Sequence, residues 1–234
     1  MSERVLIVNA DDFGRSAGVN AGVIRSHEEG IVTSASLMVR WPHAIEAAAY
    51  ARRSSLGVGL HLDLGEWIYR DGGWHASYEV LPEESAEAVT GELARQLDAF
   101  ERLVGRAPDH LDSHQHVHRD EPVRREVLAA GERLAVPVRE AAPGIAYSGV
   151  FYGQDAKGTR VPEAITTEAL VAAIESLPVG TTELACHPAA SVDHDSAYGE
   201  ERLRETEALC DPRARAAIKR RGIVLTSFAG LRAG

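Results

Sequence analysis

Short, continuously apolar runs recur along the chain, each followed by a stretch of helical spacing. The first is Val5-Leu6-Ile7-Val8. A strand that is apolar at every position has to be covered on both faces, which is the condition of a parallel sheet flanked by helices. Ser16 to His27 then has helical spacing and stops before Gly30, which is placed as a left-handed C′ residue. Ile31 to Met38 reads as a second strand, His43 to Arg53 as an Ala-rich helix and Leu56 to His61 as a third strand. Glu66 to Val80 carries Trp67, Tyr69, Trp74 and Tyr78 without a clean period and reads as a loop over a site. A long helix is expected from Glu83 to Leu103, with Val89, Leu93, Leu97 and Phe100 at three- and four-residue spacing. Next come a strand at His110 to His114, a helix from Pro122 to Leu134 and a short strand at Val136 to Arg139. A helix marked by Leu170, Ile174 and Leu177 precedes a strand at Thr182 to Cys186. A polar helix and a strand at Gly222 to Ser227 close the chain.

Roughly seven βα units without a linker or internal repeat predict one barrel-like α/β domain over residues 1–234. An open doubly wound sheet is the competing architecture, because local pattern does not distinguish closure from openness. No Gly-x-Gly-x-x-Gly follows a strand, which argues against a dinucleotide fold. A net charge of −10 with no basic stripe argues against nucleic acid as a partner. No apolar run approaches the length that spans a membrane. Two cysteines, Cys186 and Cys210, are too few for a disulfide framework and suit a reducing compartment, so a cytoplasmic protein is expected.

Polar residues cluster where the apolar runs end. Asp11 and Asp12 follow the first strand, and two adjacent carboxylates near a core repel unless a cation or a shared proton compensates. With a divalent metal, one Asp serves as ligand and the other as general base; without one, the pair is an ordinary helix cap. His61 ends another apolar run, as either a core histidine or a ligand. His110-Leu-Asp-Ser-His-Gln-His-Val-His118 packs four imidazoles and a carboxylate into nine residues, more than packing needs. On a strand, His110, Asp112 and His114 share a side, so that His114 reaches the site while the others support it. His187 also follows a strand, as a core residue or as a general acid. Arg139, ending another short strand, either orients the Asp pair by its charge or lies on the surface. His27, His43, His75 and His194 read as surface residues.

Asn9-Ala-Asp-Asp-Phe-Gly14, Gly59-Leu-His61, the His110–His118 cluster and Glu183-Leu-Ala-Cys-His-Pro188 occur in an order that resembles the YdjC-like carbohydrate deacetylases. These include the chitooligosaccharide deacetylase and a hopanoid-associated branch. The likeness extends to Val32-Thr33-Ser34, Phe151-Tyr152-Gly153 and the segment from Ala197-Tyr198 to Arg221-Gly222. It implies a distorted (β/α) barrel similar to that of polysaccharide deacetylases, one divalent metal and removal of N-acetyl groups from an amino sugar or a small N-acetylated oligosaccharide. By position it implies Asp12, His61 and His114 as metal ligands, Asp11 as base and His187 as acid. On such a substrate Trp67, Tyr69, Trp74 and Tyr152 either stack on sugar faces or pack a lid, and Arg139, Tyr152 and Trp67 are the candidates for substrate binding. It also implies a homodimer. Imidazole with carboxylate suits zinc, while magnesium, cobalt and manganese are also accommodated. The cluster departs from the chitooligosaccharide branch at Gln115, where that branch typically has His. A sugar-phosphate isomerase or phosphoesterase, and a non-catalytic metal-stabilised carbohydrate-binding protein, are the alternative readings.

Overall fold

A computed structural model of the chain describes residues 3–81, 85–192, 196 and 198–231. At its centre lies β1 (Arg4–Phe13), buried along its last eight residues as its unbroken apolar run requires. Ser16 caps α1 (Ala17–Glu28) by accepting from the Val19 amide at 3.2 Å. The helix ends at Glu29 in right-handed backbone, so Gly30 is not the left-handed C′ residue that the sequence suggested. It is glycine for space, because a Cβ there would stand 2.5 Å from the Leu209 carbonyl oxygen.

β2 (Ser34–Leu37), α2 (Ala44–Ala51) and β3 (Gly57–Leu62) follow as two further βα steps. Gly59 lets β3 approach its neighbour, since a Cβ would meet the His110 carbonyl oxygen at 2.5 Å. The stretch read as a loop is an antiparallel hairpin, β4 (Gly65–Arg70) and β5 (Gly73–Glu79). Its turn residues, Asp71 and Gly72, both have positive φ, 52° and 81°, the conformation that a two-residue hairpin turn requires.

α3 (Ala86–Val104) buries Val89, Leu93, Leu97, Phe100 and Val104 as its spacing predicted. The expected start at Glu83 lies outside the described residues. β6 (Leu111–Ser113) and α4 (Val123–Leu134) come next, and β7 (Ile145–Ser148), with no apolar run, escaped the sequence reading. Val136 to Arg139 contributes one isolated bridge, Leu111 to Val138, rather than a strand. α5 (Thr167–Glu175), β8 (Gly180–Cys186), α6 (Glu200–Cys210), α7 (Pro212–Arg221), β9 (Val224–Leu225) and α8 (Phe228–Leu231) complete the chain.

The main sheet is parallel throughout, in the order β6-β3-β2-β1-β8-β7, with β9 paired to the start of β1. It curls into a half-barrel: no backbone ladder joins the β6 edge to β7 among the described residues, and the expected distortion of the barrel is this incomplete circuit. Side chains bridge the gap, since Arg139, next to the Val138 bridge, reaches Glu183 on β8. Among the described residues, no helix is long and apolar enough to cross a membrane.

Candidate active site

Parallel strands deliver their following residues to one edge of a sheet, and here that edge collects Asp11, Asp12, His61, Asp112, His114 and His187. Neighbouring residues of a regular strand point to opposite faces. Asp11 and Asp12 escape that rule because the β1–β2 register shifts between Ala10 and Phe13, and Asp12 has a φ of 65°. Left-handed backbone at a non-glycine residue is costly and collects at functional sites. Its result is that the two carboxylates diverge within one cluster.

Asp12 Oδ1 lies 3.0 Å from His114 Nδ1 and 3.3 Å from His61 Nε2. One ligand atom from each of these three buried residues falls within 4.8 Å of the others. Behind His61, Nδ1 meets Asp112 Oδ1 at 2.7 Å, which leaves Nε2 directed at Asp12. An imidazole anchored by a carboxylate on its far nitrogen is the usual arrangement of a metal ligand. Two imidazoles and one carboxylate therefore fit a divalent ion, with the remaining Asp12 oxygen held 2.5 Å from Arg202 Nη2.

Asp11 is gripped from below. Arg139 donates to both its oxygens at 2.7 Å, and Asn9 Nδ2 donates to Oδ1 at 2.8 Å. The same guanidinium lies 2.8 Å from Asp112 and 2.7 Å from Glu183. Ser36 Oγ accepts from Asn9 and donates to Asp112 at 2.6 Å, so β2 ties the two aspartates together. His187 Nε2 stands 3.7 Å from Asp11 Oδ2 on the other side.

These contacts set the charges. Burial alone would raise Asp11, and the Arg139 guanidinium overrides it and holds the carboxyl below its ordinary range. Burial likewise opposes ionisation of Asp12, but Arg202 and His114 hold it well below that range. Glu183, which shares Arg139 with two aspartates, is pushed by burial up to about 7. Burial also works against a charged His61, yet Asp112 and Asp12 carry its pKa up to about 10. In His187 burial wins, and the imidazole falls to about 4.

A cavity of about 470 Å³ opens above the cluster, with Trp67, Tyr69 and Trp74 of the hairpin on one wall and Tyr152 and Tyr198 near His187. Tyr152 stacks flat on Tyr198 with centroids 4.6 Å apart and tilts against His187 at 5.1 Å. Gln115 fastens the hairpin to the histidine cluster: its amide accepts from the Trp67 N–H and donates to the Trp67 carbonyl, both at 2.8 Å.

The structure brings together Asp11, Asp12, His61, His114 and His187, and it sets Trp67 and Tyr152 on the cavity wall. Arg139 is different. Its side chain is 0% exposed and absent from the cavity lining, so ligand contact is closed to it and it grips the carboxylates instead. Compensation of the Asp pair, assigned from sequence to a cation or a shared proton, is shared with Arg139 and Arg202. His110 stacks on Phe228 at 4.0 Å and touches Ser36, two contacts removed from His61. His27 is not a bare surface residue, since its ring meets the Val32 carbonyl at 2.8 Å and Ser55 at 3.2 Å. His43 and His75 are exposed, and His194 lies outside the described residues. Sequence reasoning missed Arg202, Glu205 and Tyr198 on the α6 side. Glu205 accepts from the His187 amide at 2.5 Å and from the Tyr198 hydroxyl, which fixes the wall behind His187. Arg202 gives no signal in a helix charged nearly all round.

The chain is similar to proteins already known. A Serratia marcescens chitooligosaccharide deacetylase is 33% identical, covering 98% of this chain and all of its own. A solved Enterococcus faecalis protein, provisionally named for cellobiose-phosphate cleavage, superposes with a TM-score of 0.78 at 28% identity over 98% of this chain and 99% of its own. A Bacillus cereus polysaccharide deacetylase shares the fold with a TM-score of 0.55 at 11% identity, over 96% of this chain and 92% of its own. The profile of the YdjC-like protein family matches residues 5–220, and the chain belongs to that family.

Proposed function

We propose that the protein is a metal-dependent carbohydrate deacetylase that hydrolyses the acetamide of an N-acetylated amino sugar to acetate and the free amine. The observation that carries this reading is the convergence of Asp12, His61 and His114 beneath a cavity, with Asp11 and His187 3.7 Å apart beside them. The curated relatives' names support the reaction class.

Asp12, His61 and His114 would hold the ion. Zinc suits this donor set best, and a bound ion would supply Lewis acidity to the acetamide and lower the pKa of water toward roughly 7. Asp11, ionised and fixed by Arg139, takes a proton from the attacking water. His187 stands where it can hand a proton to the departing nitrogen, because an amine leaves poorly as an anion. With a pKa near 4 it enters the reaction neutral, so the proton that it delivers comes from that water by way of Asp11. The new C–O bond and the broken C–N bond then balance with no further reagent. Trp67 and Tyr152 offer ring faces to the sugar.

The same reading takes residues 1–234 as one deacetylase domain working in the cytoplasm. A homodimer rests on the family resemblance alone. Acetate release from N-acetylglucosamine oligomers tests the proposal. Asp11→Asn should retain metal and lose roughly 10²–10⁴-fold in kcat; full activity in that variant would remove Asp11 as base.

A further inference from the structure

We propose that His116, His118 and Glu140 form a second divalent-metal site in the cavity wall, sharing no ligand with Asp12, His61 and His114. One ligand atom from each of the three residues lies within 4.8 Å of the other two. Nδ1 of His116 and Nε2 of His118 are buried and have no hydrogen-bond partner, and His118 as a whole is 3% exposed. Buried polar atoms are nearly always satisfied, so two orphaned imidazole nitrogens beside a carboxylate point to a ligand.

The opposite ring nitrogens are both anchored on oxygen. His116 Nε2 meets the Tyr147 hydroxyl at 3.2 Å, and His118 Nδ1 meets Ser113 Oγ at 2.6 Å. Each imidazole can therefore place its proton on the anchored side and present a lone pair from the other, as histidine ligands do. Glu140 Oε1 stands 3.8 Å from His116 Nδ1, outside hydrogen-bond reach but suited to two donors of one ion. Arg119 Nε donates to both Glu140 oxygens at 3.0 Å and Nη2 donates to Oε1 at 2.5 Å, which fixes the carboxylate and leaves a lone pair free on Oε2. His116 and Glu140 are both held in left-handed backbone, at φ values of 56° and 63°.

Two imidazoles and one carboxylate suit zinc or another borderline first-row ion better than calcium. Of the three ligands only His116 lines the cavity, so the ion would sit within the wall, behind the face that His116 and Arg119 present.

Zinc binding to the metal-free full chain, followed by calorimetric titration and by elemental analysis after dialysis, tests the proposal without any measurement of activity. Wild type should take two equivalents. Glu140→Gln and His116→Gln should each weaken one equivalent by at least about 100-fold, at the upper end of what loss of a supporting group costs a metal site. His61→Ala should remove the other equivalent and spare this one. Circular dichroism of each variant guards against loss of the fold. One equivalent in wild type that survives Glu140→Gln and His116→Gln overturns the proposal, as does a second equivalent that persists in both. One equivalent that Glu140→Gln removes and His61→Ala does not would uphold this site and count against the Asp12 centre instead.

Discussion

Replacing Arg139 with Met is the most demanding test of how the buried charges balance. The guanidinium makes two 2.7 Å bonds to Asp11 and approaches Asp112 and Glu183 at 2.8 and 2.7 Å, with no solvent exposure. Methionine fills much of the volume and supplies no charge. Removing one partner from a buried pair costs about 3–5 kcal/mol, because the other is left uncompensated. For a chain of this size each kcal/mol moves Tm by roughly 2–4 °C, so metal-free Arg139→Met should melt about 6–20 °C lower at pH 7. The pH dependence has a definite sign. Wild-type Asp11 and Asp112 are held below their ordinary range, so they stabilise the fold above about pH 4 and lose that contribution as pH falls through their depressed folded values. Without Arg139, burial raises them, and they become a penalty that is full at neutral pH and relieved on acidification. Calorimetric Tm values between pH 4 and 8 should therefore show the gap between wild type and variant narrowing as pH falls. A gap under about 3 °C at pH 7, or one that widens on acidification, would refute this electrostatic reasoning.

Two further substitutions probe the support around the site. Asp112→Asn removes the carboxylate that anchors His61 Nδ1 at 2.7 Å and should weaken metal binding about 10–100-fold in a chelator competition titration, whereas unchanged affinity would count against that anchoring. Gln115→Ala deletes both 2.8 Å bonds to the Trp67 backbone, at about 0.5–1.5 kcal/mol each, and should speed amide exchange in β4 and raise KM for oligosaccharides while leaving kcat within a few-fold. A fall in kcat at constant KM would place Gln115 in the chemistry rather than in holding the wall.

Much of this arrangement is legible in the residues themselves. Val5 to Val8 announces a strand buried on both faces, and the spacing of Val89, Leu93, Leu97 and Phe100 announces the buried stripe of α3. Residues following strands gather at one edge, which is why Asp12, His61, His114 and His187 could be grouped before any coordinates. Three kinds of feature stayed hidden. The register shift that lets adjacent aspartates share a site has no sequence signature. Arg202 looks like any charged residue of a polar helix until α6 docks and buries it beside Asp12. The hairpin is hidden despite its Asp71-Gly72 turn, because consecutive residues Trp67, Ile68 and Tyr69 all line the cavity and leave no two-residue alternation.

Anomalous diffraction at the zinc edge, from crystals of the full chain soaked with zinc, tests the central claim most directly. A peak about 2.0–2.2 Å from Asp12 Oδ1, His61 Nε2 and an imidazole nitrogen of His114 is the predicted result. No peak at that point under saturating zinc, with the three side chains still converging, would contradict it.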